Sequence, residues 1–172
     1  MTPQRYRAHC KLALKSPTVQ AFLACIKYAE HGPQWIDNPD VYRVEFGATL
    51  FPAEQLKWDK PRNVVVLKDR KGKVYRSSAK GAYQIKNDTW DGCKRRLGLA
   101  DFLPISQDLA AVDLIGEGQA KALDYLLLSE LDITIARCAP VWASLPGAPY
   151  GQPVKTMAEV DALYRQRLAM VA

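Results

Sequence analysis

The sequence predicts an α+β domain: an N-terminal helix and a small antiparallel sheet with a hairpin, packed against a helical lobe. Three observations predict it. Apolar residues recur at helical spacing over residues 17–30. Short β-prone runs flank glycine-containing turns between residues 42 and 76. After Gly81 the pattern is helical to the end of the chain. The length of 172 residues is about one domain, enough to bury a core without disulfide or metal staples.

Residues 1–15 are basic and weakly patterned and are expected as a loosely attached arm, with a single domain over 16–172. The first strong element starts at Ser16-Pro17, where Ser suits a helix N-cap and Pro the first helical position. Val19, Phe22, Leu23 and Ile26 then mark one face, and His31-Gly32-Pro33 ends the helix. Tyr42 to Phe46 alternates apolar and charged residues as a half-buried strand does, and residues 48–51 form a second short strand. Asn63–Leu67 and Lys73–Arg76 flank Lys68-Asp69-Arg70-Lys71-Gly72, a β-hairpin with a basic tip. That tip is either a solvated end that discourages edge pairing or a contact for an anionic polymer. Helices are expected over roughly 84–97, 106–116, 119–129, 131–142 and 156–170, with a Gly/Pro-rich loop over 144–154 before the last.

Composition narrows the function classes. Apolar residues are 48% and charged residues 24%, which excludes disorder, collagen-like repeats and a disulfide scaffold. The net charge of +6 favours an anionic partner such as nucleic acid, acidic lipid or a bacterial cell wall. No run of 18 apolar residues suggests a transmembrane helix, and Leu12–Leu14 is too short for a signal-peptide core, so no membrane anchor and initial residence in the cytoplasm are expected. Cys10, Cys25, Cys93 and Cys138 form no C-x-x-C pair and read as small buried hydrophobes. With only His9 and His31 and no clustered ligands, neither metal nor cofactor is expected. No nucleic-acid-binding motif accompanies Lys94-Arg95-Arg96, which reads as the wet face of a helix.

One residue breaks its own pattern. Glu30 continues the apolar stripe of the first strong helix, four residues after Ile26 and seven after Leu23. A carboxyl placed there has its pKa raised by burial and by the partial negative charge of the helix C-terminus, which suits a general acid. Alternatively the helix ends a residue earlier and Glu30 turns to solvent. Gly81-Ala82-Tyr83-Gln84-Ile85 combines a permissive backbone, an aromatic face and an amide, a set that suits a sugar; alternatively Tyr83 simply belongs to the core. Trp142 to Gln152 repeats that chemistry with Ser144, Tyr150 and Gln152, and two such segments favour a carbohydrate cleft over either segment alone.

On these residues the chain resembles the lambda-type phage endolysins, peptidoglycan lytic transglycosylases of lysozyme-like fold (glycoside hydrolase family 104). The resemblance is carried by Y-R-V-E-F-G from Tyr42, D-K-P-R from Asp59, S-S-A-K-G-A-Y-Q-I from Ser77, L-G-L-A-D-F from Leu97, S-Q-D-L-A-A from Ser106, I-A-R-C from Ile135 and W-A-S-L-P-G-A-P-Y-G-Q from Trp142. It implies a lysozyme-like fold and cleavage of the β-1,4 bond between N-acetylmuramic acid and N-acetylglucosamine with formation of 1,6-anhydromuramic acid. Glu30 takes the position of the family's catalytic acid, and Tyr83, Gln84, Ser144, Tyr150 and Gln152 those of glycan-binding residues. The segment Ala29-Glu30-His31-Gly32 departs from the usual S-E-G; His31 either tunes Glu30 as an imidazolium or points to water. Ala148-Pro149-Tyr150 replaces the usual Ala-Gly-Tyr. The implied partners are peptidoglycan strands and, for release from the host cytoplasm to the periplasmic wall, a holin; a monomer is expected. The competing enzyme reading is a hydrolytic muramidase using water and a second carboxylate, Glu45 or Asp59. A wall-binding module without activity is a third reading, discouraged by Glu30.

Overall fold

The computed structural model describes residues 1–61 and 63–171. Residues 1–15, expected as a loose arm, instead fold into helix α1 (Pro3–Ala13). Thr2 caps it by accepting from the Arg5 N–H at 3.4 Å, and Pro3 supplies a pre-set φ at its first turn. Tyr6, Cys10 and Ala13 form its inner stripe; Cys10 and Ala13 are buried, and the Tyr6 hydroxyl donates to Asp113 at 3.0 Å. Arg, His and Lys surround that narrow stripe, so its amphipathicity is weak in the sequence and decided by packing.

Helix α2 (Pro17–His31) is the central rod of the core, about 22 Å long at 1.5 Å per residue. Val19, Phe22, Leu23, Cys25 and Ile26 are buried along it. Across it lies α7 (Met157–Val171), with Val160 and Tyr164 buried and the Cys25 thiol donating to the Val160 carbonyl at 3.6 Å. Gly32, at φ +90°, lets the chain leave α2 at a sharp angle.

The sheet is smaller than expected. Tyr42 belongs to a 3₁₀ turn over Pro39–Arg43, which Asn38 caps through the Asp40 N–H. Strand β1 is only Val44–Glu45, pairing antiparallel with β2, Thr49–Leu50. Strands β3 (Val65–Lys68) and β4 (Val74–Ser77) form the predicted hairpin, with Leu67 opposite Tyr75. The two pairs are separate sheets. Backbone bonds from Phe46 N to Ala79 O (3.1 Å) and Gly81 N to Val44 O (2.7 Å) tie β1 to the segment after the hairpin.

The helical lobe comprises α3 (Asn87–Leu97), α4 (Pro104–Asp113), α5 (Leu123–Leu127) and α6 (Leu131–Cys138). Gly98 ends α3 in the left-handed conformation. The helix expected over 106–116 ends at Asp113 and widens into a π-type turn over Leu114–Gly118, where Gly116 leaves helical geometry. Helices α5 and α6 are shorter than the expected 119–129 and 131–142: Ser129 sits at φ +63°, and Pro140 cannot donate a helical bond. Asp113, fully buried, is held by Arg96 from Nη2 at 2.6 Å and Nε at 3.0 Å as well as by Tyr6. All four cysteines are buried free thiols. Among the described residues no helix is long and apolar enough to cross a membrane.

Candidate active site

A cleft of about 720 Å³ separates the hairpin side from the helical lobe, with Glu30 in its wall. Glu30 occupies the last turn of α2, so the helix does not end before it and the carboxyl does not simply turn to water. Burial pushes its pKa up from 4.5 to about 7, against the opposing pull of a hydrogen bond from Ser144. The Ser144 hydroxyl donates to Glu30 Oε1 at 2.5 Å. Near neutral pH the group is therefore populated both with and without its proton, as a residue that first gives and then recovers a proton requires.

Three anchors hold the loop that carries Ser144. Trp142 is buried and donates its indole N–H to the Tyr83 carbonyl at 3.0 Å. Leu145 is fully buried, and the Tyr150 hydroxyl folds back onto the Pro140 carbonyl at 2.6 Å. Tyr150 and Gln152 line the cleft from this loop and are exposed.

The Gly81–Ile85 segment is fixed from behind. Gly81 has φ +74°, and a Cβ there would lie 2.0 Å from Gln107 Oε1. The buried Gln107 amide spends every contact on backbone: it accepts from the Ala82 N–H at 3.0 Å and donates to the Tyr42 and Phe102 carbonyls at 3.0 and 2.9 Å. Gln84, at φ +46°, donates its amide to the Val44 and Gly81 carbonyls at 3.2 and 3.1 Å while lining the cleft.

Tyr83 differs from the expectation. It is 1% exposed, and its hydroxyl donates to Asp108 at 2.6 Å; burial raises its pKa well above the ordinary range. Its ring is core, and only its backbone serves the cleft, by anchoring Trp142. Asp108 also accepts from Tyr42, whose hydroxyl in turn accepts from Lys27 at 2.9 Å. An aromatic in a G-x-Y-Q segment looks equally suited to stacking or packing, and this half-buried carboxylate partner, invisible in the local sequence, decides between them.

His31 neither points to water nor acts as an imidazolium on Glu30. Its Nε2 donates to the Gly81 carbonyl at 3.2 Å, and burial lowers its pKa, so the ring is neutral near pH 7. It clamps the end of α2 to the Gly81 turn. The π-type turn brings Leu114 and Gln119 into the cleft wall, residues the sequence reading missed; the Gly116-x-Gly118 pair was its one local signal. The hairpin contributes Tyr75, Arg76 and Ser77.

Among the described residues Glu30 is the one acidic side chain lining this cleft. Glu45 lies apart from it, accepting from Thr49 at 3.2 Å, and Asp59 is paired with Lys94 at 2.9 Å. No described group of His, Cys, Asp and Glu could hold a metal ion.

The Endolysin family model matches residues 20–171. The chain is 37% identical to the endolysin of Escherichia phage lambda over 136 residues, 77% of this chain and 80% of that protein. It is 39% identical to the endolysin of Escherichia phage P2 over 90 residues, 52% of this chain and 53% of that one. It superposes on bacteriophage lambda lysozyme complexed with a chitohexasaccharide with a TM-score of 0.74 at 31% identity, over 88% of this chain and 94% of that one. A second structure of lysozyme from bacteriophage lambda gives a TM-score of 0.69 at 31% identity, over 91% and 95% of the two chains. With a lysozyme-like α+β fold, a glycan-sized cleft and a shielded acid in its wall, the chain belongs to the endolysin family, phage enzymes that degrade bacterial peptidoglycan.

Proposed function

We propose that this endolysin cleaves the β-1,4 bond between N-acetylmuramic acid and N-acetylglucosamine as a lytic transglycosylase, leaving a 1,6-anhydromuramic end. The observation that carries this reading is that Glu30, with a pKa of about 7, is the one carboxyl lining the cleft among the described residues. Protonated Glu30 gives its proton to the glycosidic oxygen as the bond to muramic C1 breaks. Positive charge develops at C1, and the sugar's own C6 hydroxyl attacks it. Ionised Glu30 then takes the hydroxyl proton, which restores the acid. The nucleophile is tethered to the reacting ring, so it acts at high effective molarity and needs no second carboxylate, whereas a water-dependent glycosidase uses two. Ser144 orients the Glu30 carboxyl and stabilises its ionised form through the 2.5 Å hydrogen bond. Gln84, Tyr150 and Gln152 offer the glycan an amide, an aromatic ring and a second amide along the same cleft.

The resemblance to a lysozyme complexed with a chitohexasaccharide supports a β-1,4-linked amino-sugar strand as the ligand. On this reading the enzyme works as a monomer, is made in the host cytoplasm and reaches the wall once a holin has opened the membrane. The test is mass spectrometry of the muropeptides released from Gram-negative sacculi. Anhydro ends are expected from the intact enzyme and no release from Glu30→Gln; reducing ends would make it a hydrolytic muramidase.

A further inference from the structure

We infer that Arg76 and Lys86 form a carboxylate clamp in the cleft, reading the acidic branch that muramic acid carries and an uncharged chitin strand lacks. The inference rests on the proposal that the cleft takes peptidoglycan, and deepens it. Arg76 reaches the cleft from β4 and Lys86 from the residue just before α3. The Asn87 N–H donates to the Ser78 hydroxyl at 3.1 Å, so the two segments are fastened together beside the two cations. Neither cation pairs with a described acid, whereas Lys60, Lys94 and Arg96 in the body of the protein are matched to Asp91, Asp59 and Asp113.

The electrostatic balance of the cleft is lopsided: two full positive charges face one carboxyl that burial keeps largely protonated below about pH 7. Neutral sugar rings and hydroxyls are already served by aromatic faces and amides and do not require full charges. A carboxylate does, and a guanidinium offers it a planar fork of donors. The hairpin extends the field outward. Its tip carries Lys68, Arg70, Lys71 and Lys73 against Asp69 alone, and the Asp69 carboxylate already accepts from the Lys71 and Lys73 N–H groups at 2.9 Å each. The predicted basic tip and the clamp therefore form one cationic lip, which raises the local concentration of an anionic strand.

Two sources of carboxylate are available on the branch: the stem peptide, or the lactyl group itself once the peptide has been removed. Binding is measured by calorimetry in the Glu30→Gln background, where no turnover intrudes. The ligands are soluble peptide-bearing glycan strands, amidase-stripped strands with a free lactyl carboxylate, and chitohexaose. The parent is expected to prefer peptide-bearing strands over chitohexaose by roughly tenfold at low salt, the range of two partly exposed ion pairs, and less as salt rises. Arg76→Gln with Lys86→Gln abolishes the preference and leaves chitohexaose affinity unchanged, which also certifies the fold. Preference kept on stripped strands shows that the clamp accepts either carboxylate; preference lost there assigns it to the stem peptide. A double variant that keeps the preference, or weakens all ligands equally, overturns the clamp alone, whereas a parent that binds no glycan overturns the cleft reading with it.

Discussion

Replacing Glu30 by Gln should make the protein more stable at alkaline pH, and by an amount the structure sets. A carboxyl whose pKa rises from 4.5 in the unfolded chain to about 7 in the fold holds its proton more tightly when folded. Its contribution is fully present below about pH 4.5 and is lost as pH climbs through about 7. At 1.36 kcal/mol per tenfold change in proton affinity, the native enzyme loses about 3 kcal/mol between pH 4.5 and 8.5 through this one group. A Gln side chain is isosteric, can accept the Ser144 hydroxyl, and has no proton to lose. For a chain of this size about 3 kcal/mol corresponds to roughly 6–12 °C in Tm. The assay is thermal unfolding of both proteins across that pH range. Stability curves that part from about pH 4.5, separate fully by about pH 7 with the variant higher, and run level with each other beyond it are expected; curves that run parallel throughout would show that Glu30 is not shielded and does not shuttle a proton near neutral pH.

Ser144→Ala removes the hydrogen bond that favours ionised Glu30, so the alkaline limb of the lysis pH profile should move up by roughly one pH unit; an unmoved limb would refute the coupling. Tyr83→Phe should cost about 1.5–3 kcal/mol of folding stability, the range for a hydrogen bond to a charged acceptor, and leave glycan affinity unchanged, as titration of the folded variant would show. Gly81→Ala places a side chain at φ +74° and against the Gln107 amide; denaturant unfolding should show a loss of at least about 2 kcal/mol.

The α+β class, the length and start of α2, the hairpin with its basic tip and the place of Glu30 in the last turn of α2 were all legible along the chain. Each is encoded locally: apolar spacing shows which face of a helix is buried, and Pro, Gly and Ser mark where elements begin and end. Helix α1 was missed because its buried stripe is Tyr, Cys and Ala among basic residues, too weak a signal without the partner surface on α3 and α4. The outer strands were overestimated for a related reason. Tyr42 alternates correctly for a strand, but its hydroxyl is drawn to Asp108 and its backbone into a 3₁₀ turn.

Periodicity alone placed a carboxyl where an aliphatic residue belongs, and that anomaly survives every structural detail. What the anomaly does was decided only in three dimensions. Ser144 lies 114 positions from Glu30, Asp108 lies 25 from Tyr83, and Trp142 lies 59 from the carbonyl that anchors it. Spacing within a segment reports a buried face and is silent about what packs across it. The proton affinity of Glu30, the withdrawal of Tyr83 into the core and the neutral state of His31 all depend on those distant partners and on the water they exclude.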